Sequence, residues 1–440
     1  MSSLVIMAID IAILVFSLVI GIPLPFCFAG AFAFVVATCG LNVTSLMVWG
    51  AKQMASLTLI AGPIFILCGM LMTDAKIIDR ILDVTDRLFK KVHGNLGYIV
   101  IVTCAFIGAL SGSSFTGVAA VGPALTPRMD KMGYPRGFSA ALMTASTILG
   151  VLIPPSIAMI MYGWVTGVSV LACFLSTVIP AIILMAFLAV INYFEAKKYC
   201  SAGLEVQPEA QDKTAADGMS SKRKLVGAIP ALILPVLILG GIYGGFFTPT
   251  EAASVATLFT LIIGFFIYRT LSGKIVAKSL RSATGSIGAI MTMTFFCLLL
   301  SQAYVMLDLP RMLVRFFTSV TDSKAIILLL IFAFLVFIGM IINDTTAIVL
   351  CAPILLPICE AYGVSGVQLA AIMVVSLGIG GLTPPYASTL YLSMRVCDAK
   401  FEEILPPAIR MILLAYFPTA LLVLFIPQLS TWLPSILGYM

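Results

Sequence analysis

The sequence predicts an all-α polytopic membrane protein built from two inverted repeats, each with a re-entrant helical hairpin and an unwound helix. Composition is the first observation behind this fold class: the 440 residues are 61% hydrophobic and 10% charged, and the mean hydropathy is +1.14. Soluble domains are about 45–50% apolar and about 25% charged, so this composition excludes a soluble globular protein. An internal repeat and paired breaks in apolar helices are the second and third observations.

Long apolar runs predict ten full membrane crossings, because one crossing needs about 20 apolar residues. The runs lie near residues 3–19, 22–39, 57–73, 137–163, 169–194, 225–246, 251–268, 285–306, 366–394 and 409–427. One long polar segment, 195–224, is rich in Ala, Gly, Ser, Gln and Lys, a composition typical of a linker. It divides the chain into a first repeat, 1–194, and a second repeat, 225–440.

The two repeats match at an offset of 230 residues. Thirteen residues between 116 and 155 are identical to their counterparts between 346 and 385. Most of these identities could arise by chance between apolar helices, but the two Pro-Pro pairs, Pro154-Pro155 and Pro384-Pro385, lie at the same offset. This coincidence favours a true internal repeat.

One uncharged stretch in each repeat is too long for one crossing and too short for two. Residues 94–127 contain no charge, and residues 325–359 contain only Asp344. A straight helix of this length would span about 50 Å at 1.5 Å per residue, against a hydrocarbon core of about 30 Å. We therefore predict re-entrant hairpins over about 94–128 and about 325–359, with polar tips at 111–114 and 343–346.

Five crossings and one returning hairpin per repeat make an odd number of passages, so the second repeat is expected to be inverted. Basic residues of the loops and of the linker fall on one side under this arrangement, and the positive-inside tendency makes that side cytoplasmic. Both termini are then periplasmic. This topology also accounts for the net charge of +6 without nucleic acid as a partner.

A segment of mixed charge precedes each hairpin. Residues 74–91 and 308–324 alternate apolar and charged side chains at helical spacing, which predicts amphipathic helices at the membrane interface. They are expected to act as horizontal arms between a scaffold and a moving part, although a solvated connector would have a similar composition. A single acid in the first crossing, Asp10, is expected to be an interfacial helix-end residue.

The double prolines predict breaks in two crossings, 137–163 and 366–394. Proline removes a backbone donor and clashes with the preceding turn, so carbonyl groups at Pro154 and Pro384 lose their helical partners. A small cation held by carbonyl and hydroxyl oxygens can replace those partners within a membrane. Simple kinking is the alternative explanation, but a polar hairpin tip upstream of each break favours a binding site. Asp344 is the one acid at such a tip, and an ionisable group inside a membrane indicates function.

Several motifs resemble the large membrane subunit of TRAP transporters. They are GALSGSS at 108–114, MGY at 132–134, LGVLIPPS at 149–156 and, as the most specific, GGIYGGFFTPTEAA at 240–253. The resemblance covers essentially the whole chain. It implies an elevator-type transporter that uses a sodium gradient to import small organic anions across the lipid bilayer of the bacterial cytoplasmic (inner) membrane.

The resemblance also implies partners and site residues. The partners are a soluble extracytoplasmic substrate-binding protein and a small four-helix membrane subunit, expected as a separate chain. One sodium site is expected at Ser113, Ser114, Pro154 and Ser156, and the second at Asn343, Asp344, Thr345, Thr383 and Pro384. Substrate contacts are expected from Ser113, Ser114, Thr116, Ser156, Asn343, Thr345 and Thr346. The second break has Tyr386 where the first has Ser156, so an equivalent hydroxyl ligand is in doubt there.

Two other functions are compatible with parts of this pattern. A stand-alone ion-coupled organic anion transporter of related fold would share the inverted repeats, and uptake by this chain alone would identify it. An intramembrane enzyme is disfavoured because the sequence has no spacing typical of metal ligands and no Gly-rich phosphate loop. The sequence predicts a transporter and not an enzyme, and it does not indicate which organic acid is carried.

Overall fold

The computed structural model describes residues 3–112, 114–199, 221–384 and 387–440. Within these ranges the chain forms helices and connecting turns, with no strand, which confirms the predicted all-α class. Six helices are long and apolar enough to cross a membrane, and the bent pair Arg136–Leu152 and Ile157–Thr166 would make a seventh. Other apolar helices are 10–17 residues long, so the ten predicted crossings include several helices below the usual length for a span.

The first half of the chain contains eleven of the described helices. They are α1 (Ser3–Val19), α2 (Leu24–Cys39), α3 (Val43–Met54), α4 (Leu57–Asp74), α5 (Ile77–Phe89), α6 (Asn95–Ser111), α7 (Ser114–Lys131), α8 (Arg136–Thr147), α9 (Leu149–Leu152), α10 (Ile157–Thr166) and α11 (Val170–Tyr199). The predicted linker falls largely on residues 200–220, which lie outside the described part of the chain.

The second half contains a further eleven, and short π-helical turns at 263–267 and 412–416 extend two of them. They are α12 (Ser221–Tyr243), α13 (Pro249–Ile262), α14 (Gly273–Met306), α15 (Leu309–Val320), α16 (Lys324–Gly339), α17 (Asp344–Ala361), α18 (Gly366–Leu382), α19 (Ser388–Cys397), α20 (Phe401–Met411), α21 (Phe417–Phe425) and α22 (Gln428–Ile436). Many helix bounds recur at the offset of 230, as for α7 with α17 and α8–α9 with α18. Whether the second half is inverted in a membrane stays a prediction.

Three details differ from the sequence prediction. Lys274, Lys278 and Arg281, which were expected in a loop, lie within α14. That helix begins early because the Ser272 hydroxyl accepts a hydrogen bond from the backbone N–H of Ile275 (3.4 Å) and so caps the first turn. Helices α3 and α22 were not predicted, because each is a short amphipathic segment of 12 or 9 residues.

The most family-specific motif forms a helix end, a turn and a capped helix start. Helix α12 ends at Tyr243, and Gly245 turns the chain with φ +72°. The Thr248 hydroxyl then accepts a hydrogen bond from the N–H of Glu251 (3.3 Å), while the Glu251 carboxylate accepts one from the Thr248 N–H (2.8 Å). This reciprocal capping box fixes the start of α13. The Thr250 hydroxyl donates to the Leu57 carbonyl (2.9 Å) and so ties α13 to α4.

Two groups of helices pack around the centre of the molecule. We call α1–α4 with α12–α14 the frame, and α6–α11 with α16–α22 the hairpin body. In the hairpin body the halves interlock, since α7 packs on α19 and α17 packs on α10. The Tyr162 hydroxyl donates to the Gly366 carbonyl (2.6 Å), and the Tyr416 hydroxyl donates to the Ala145 carbonyl (2.6 Å). These bonds, one buried and one partly buried, join the two repeats.

The predicted amphipathic arms are α5 and α15. Each follows the end of a frame helix, α4 or α14, and is preceded by a single residue with left-handed backbone: Lys76 (φ 55°) or Asp308 (φ 57°). On α5 the apolar side chains Ile77, Ile78 and Ile81 are buried, while the charged side chains face outward or pair with neighbouring elements. The arms therefore lead directly from the frame into the two hairpins.

Backbone-to-backbone crossings join the first hairpin leg to the broken helix in each half. A Cβ added to Gly150 on α9 would lie 2.3 Å from the Cα of Gly108 on α6. In the second half, a Cβ added to Gly380 on α18 would lie 2.3 Å from the carbonyl carbon of Gly339 on α16. No side chain fits between atoms this close, so glycine is required at both crossings.

Asp10 corrects the expectation of an interfacial helix-end residue. It lies in the middle of α1 and is fully buried. One carboxylate oxygen accepts a hydrogen bond from the Tyr304 hydroxyl on α14 (2.5 Å), and the other has no hydrogen-bond partner among the described residues. The carboxylate therefore links α1 to the end of α14 inside the frame.

Candidate functional site

The first hairpin turns at a glycine in the left-handed region. Helix α6 ends at Ser111, and Gly112 (φ 63°) closes it by donating its N–H to the Gly108 carbonyl (2.6 Å). Glycine adopts this conformation without the steric cost that other residues have. Helix α7 starts at Ser114, which is buried. Ser113, a predicted sodium and substrate ligand, lies outside the described residues.

The second hairpin turns with an asparagine cap. The Asn343 side-chain oxygen accepts a hydrogen bond from the Thr346 N–H (2.9 Å) and so fixes the first turn of α17. Asp344, the first residue of that helix, accepts a hydrogen bond from the Thr345 N–H through Oδ1 (2.9 Å). The carboxylate is only partly buried, because it faces a cavity between the tips.

The first broken helix unwinds between Leu152 and Ile157 and bends by 43°. The Ser156 side chain is completely buried and accepts the Met159 N–H (3.4 Å), so it caps α10. Pro154 lies in the extended segment before it. In the second broken helix α18 ends at Leu382, and the Thr383 hydroxyl donates back to the Ile379 carbonyl (2.8 Å). Pro384 follows, while Pro385 and Tyr386 lie outside the described residues.

A cavity of about 300 Å³ lies between the two hairpin tips and the frame. The tips contribute Ser111, Gly112, Ser114, Thr116, Asn343, Asp344 and Thr345. The frame contributes Ile66 and Met70 from α4, and Ser286, Ile290 and Met293 from α14. Val151, Ile157 and Ala158 complete the lining from the two sides of the first break. The cavity is therefore bounded by both repeats and by both groups of helices.

A smaller cavity of about 30 Å³ adjoins the same tips on the side of the second break. Its lining shares Ser114, Asn343 and Asp344 with the larger cavity and adds Gly381, Ser388 and Thr389. The Thr389 hydroxyl donates to the Gly381 carbonyl (3.2 Å) across the break. About 30 Å³ is the volume of roughly one water molecule in the liquid, so this space suits a small ion and not an organic molecule.

The structure brings together only part of the predicted set. Ser114, Thr116, Asn343, Asp344 and Thr345 line the larger cavity. Thr346 is buried behind it, with its hydroxyl donating to the Met293 sulfur (3.0 Å). The remaining predicted residues outside the tips, Pro154, Ser156, Thr383 and Pro384, line neither of the two cavities.

Sequence reasoning missed the frame wall of the cavity. Ile66, Met70, Ile290 and Met293 have the same apolar character as side chains that face lipid, and no spacing separates them from those. Ser286 follows Gly285 in a helix with many small residues, which gave no specific signal. Only the packing of the frame against the tips identifies these residues.

Electrostatically the cavity is unusual for a site expected to bind an anion. Asp344 is the one ionisable side chain among its described lining residues, and none of them is Lys, Arg or His. No group of three His, Cys, Asp or Glu side chains that could hold a metal occurs in the described part of the chain. Hydroxyl, amide and carboxylate oxygens of the kind found at the tips are ligands that hard cations prefer.

The chain matches the family described as "Tripartite ATP-independent periplasmic transporter, DctM component" over residues 7–429. It is 31% identical over 412 residues to the sialic acid TRAP transporter large permease protein SiaM of Vibrio cholerae, covering 93% of this chain and 94% of that protein. It is 32% identical over 383 residues to the C4-dicarboxylate TRAP transporter large permease protein DctM of Pseudomonas aeruginosa, covering 87% of each.

Among solved structures, the chain resembles MtrF of Neisseria gonorrhoeae, which is described as illuminating a class of antimetabolite efflux pumps. The TM-score is 0.59 at 14% identity, over 87% of this chain and 85% of that one. This likeness shows the fold of a membrane transporter alone. The relatives identified by sequence are transporter permeases and not enzymes, as the sequence predicted. The chain is therefore a multi-pass membrane protein that belongs to the DctM family of TRAP transporter large permease proteins.

Proposed function

We propose that this chain is the membrane-spanning path of a sodium-coupled, binding-protein-dependent importer of small organic acids. The observation that carries the proposal is the larger cavity where both hairpin tips meet, lined by oxygen ligands and one carboxylate. An anion cannot enter such a site without compensation, because burying an unpaired charge costs several kcal/mol or more. Bound sodium ions supply that compensation and couple uptake to the sodium gradient.

Two sodium ions are proposed, one beside each tip. The first is held at Ser114 together with the break at Pro154 and Ser156, and the second at Asn343, Asp344 and Thr345 together with the break at Thr383 and Pro384. The Ser156 hydroxyl accepts the Met159 N–H and keeps one free lone pair, while the Thr383 hydroxyl donates its proton to the Ile379 carbonyl and keeps its lone pairs. Because a cation needs only lone pairs, these bonds are compatible with ligation.

The proposed movement is an elevator, in which the hairpin body carries the site past the frame. The support for it is that the cavity is lined from both groups of helices, while the arms α5 and α15 connect them. The proposed location is the bacterial cytoplasmic membrane, with both termini periplasmic. A small four-helix membrane subunit and a soluble extracytoplasmic binding protein complete the tripartite system.

The decisive experiment is uptake into proteoliposomes. Vesicles that contain this chain and its small partner should take up a radiolabelled organic acid only with inward-directed sodium and the loaded binding protein outside. Potassium in place of sodium, and binding protein without ligand, are the controls. Uptake that needs neither sodium nor binding protein would reject the proposal.

A second function remains testable in the same vesicles. A stand-alone ion-coupled organic anion transporter of related fold would work without either partner. Its support is limited to the fold, which the chain shares with MtrF. Sodium-dependent uptake by this chain alone, unaffected by the binding protein, would favour that function.

A further inference from the structure

The cavity between the tips and the frame has two chemically different walls. The wall formed by the tips is polar and presents Ser114, Thr116, Asn343, Asp344 and Thr345, while Val151, Ile157 and Ala158 of the first break add an apolar patch beside it. The facing wall belongs to the frame. Its four apolar side chains are Ile66, Met70, Ile290 and Met293, and its one polar side chain among the described residues is Ser286.

The charges around the cavity set a limit on the charge of the ligand. Each tip and the first break bring one helix C-terminus and one helix N-terminus to the cavity, and their opposite partial charges largely cancel. If two sodium ions bind, as proposed above, they balance Asp344 and one further negative charge. A monoanion makes the filled site neutral, whereas a dianion leaves a net negative charge in a region of low dielectric constant.

The apolar wall restricts the rest of the ligand. A second carboxylate or several hydroxyl groups placed against Ile66, Met70 and Ile290 would lose their hydrogen bonds to water without replacement. Each unpaired polar group costs about 1–3 kcal/mol, which corresponds to roughly fivefold or more in affinity. An aliphatic or aromatic group in the same place gains about 25 cal/mol per Å² of buried apolar surface.

The volume of the cavity limits the size of the ligand. About 300 Å³ lies at the lower end of the range of about 300–1,000 Å³ for small-molecule sites. It is the volume of about ten water molecules in the liquid. A small acid fits within it together with its ions, whereas a sugar acid with hydroxyl groups on every face does not match the polarity of the frame wall.

We propose that the substrate is a small monocarboxylate with an apolar substituent, bound with its carboxylate at the hairpin tips and its apolar part against α4 and α14. This inference rests on the proposed function and narrows it to one class of organic acid. It differs from what the relatives named for sialic acid and C4-dicarboxylates carry.

Three probe acids test the charge limit and the apolar frame wall separately. The branched monoanion 4-methylpentanoate and the dianion succinate have the same number of non-hydrogen atoms, and gluconate is a monoanion covered with hydroxyl groups. Binding is measured by isothermal titration to the full chain with its small subunit in lipid nanodiscs, in sodium and in potassium. We expect 4-methylpentanoate to bind at least tenfold more tightly than either of the others, in sodium only.

The possible results distinguish the substrate class from the proposed sodium-coupled import of organic acids. Tighter sodium-dependent binding of succinate overturns the charge argument, and tighter binding of gluconate overturns the apolar wall, while both leave a sodium-coupled acid transporter intact. Equal binding of all three also overturns the inference. Binding that is the same in potassium as in sodium contradicts the proposed function itself.

A substitution in the frame wall tests which residues select the substrate. Met70→Gln replaces the side chain by one of similar length that carries hydrogen-bonding groups and no charge. It should weaken the binding of 4-methylpentanoate at least fivefold and reduce the ratio of its affinity to that of gluconate. Met70→Leu is the matched control and should keep the preference. Ile66→Thr gives a second test, should Met70→Gln reduce protein yield. An unchanged ratio of affinities in both polar variants, with unchanged thermal unfolding, would overturn the assignment of this wall.

Discussion

The two hairpin tips lie at equivalent positions of the repeat and carry different chemistry. The first presents the hydroxyl groups of Ser114 and Thr116, and the second presents an amide, a carboxylate and a hydroxyl from Asn343, Asp344 and Thr345. The helices on either side recur with almost the same bounds. The comparison teaches that the repeat preserves the geometry of the tips while the charge of the site comes from one half.

A similar contrast appears where the frame helices lead into the arms. At the end of α4 the Asp74 carboxylate accepts a hydrogen bond from the Ser279 hydroxyl (2.5 Å). The equivalent position of α14 is occupied by Tyr304, which is a donor instead of an acceptor. Its hydroxyl donates to the Asp10 carboxylate on α1. Asp74 is exposed, whereas Asp10 is buried. The carboxylate at the end of α14 is therefore buried, whereas the one at the end of α4 is exposed and only its partner Ser279 is buried.

The largest effect is expected at the glycine crossings, where the halves agree. Gly150→Ala and Gly380→Ala each place a Cβ 2.3 Å from backbone, so each should lower the free energy of unfolding by about 3 kcal/mol. Gly288→Ala on α14 is the control, because nothing lies within 4 Å of its added Cβ. Thermal unfolding of the purified protein measures all three. A large loss in only one half would show that the two crossings are not equivalent.

The next effect separates the two tips. Asp344→Asn removes the charge of the site and should weaken sodium binding by about 2 kcal/mol, or roughly thirtyfold. Ser114→Ala removes a neutral ligand and should cost about 1 kcal/mol, or roughly fivefold. Sodium titration of uptake, normalised to the amount of protein in the membrane, measures both. Equal losses would contradict the charge difference between the tips, and a parallel fall in protein amount would indicate a folding role.

A smaller effect distinguishes the two frame contacts. Tyr304→Phe leaves the buried Asp10 carboxylate without its donor and should cost about 1–2 kcal/mol of stability. Ser279→Ala should cost less, about 0.5–1 kcal/mol, because the Asp74 carboxylate that loses its donor is exposed and can bind water instead. The double variant Tyr304→Phe with Asp10→Leu should recover most of the loss, because both polar partners are then gone. Thermal unfolding tests this, and a double variant less stable than Tyr304→Phe would oppose it.

The smallest effect concerns an ion pair that only the first half has. Arg128 on α7 donates two hydrogen bonds of 2.8 Å to Asp86 on the arm α5, and the equivalent positions in the second half are Phe316 and Ile358. Since the pair is partly exposed, Asp86→Asn should cost less than about 1 kcal/mol. The loss should shrink further in choline chloride, which screens the pair. A larger, salt-independent loss would contradict this.

The sequence predicts the fold better than it predicts the site. Apolar periodicity and the matched Pro-Pro pairs locate the hairpins and breaks to within a few residues, because these features depend on local chain chemistry. Whether a helix continues depends on weaker signals: α3 and α4 are interrupted at Ala55-Ser56, while the equivalent Gly285-Ser286 lies inside the single helix α14. Proline is present at neither point, so propensity alone does not separate them.

The frame wall and Asp10 depend on tertiary packing. Met70 and Ile290 are apolar residues in apolar helices, and only the contact between the frame and the tips turns them into cavity lining. Asp10 would be an ordinary helix-end acid if α1 began a few residues later, and it is buried because Tyr304 on a distant part of the chain meets it. Neither partnership leaves a pattern in the local sequence.

The glycine crossings have a practical consequence for measuring motion. Since α6 touches α9, and α16 touches α18, with no side chain between them, neither pair can slide without separating. If each pair moves as one unit in the proposed elevator movement, spin labels attached to its two members should report a constant separation. That pair serves as an internal length standard, against which the displacement of any other helix can be read.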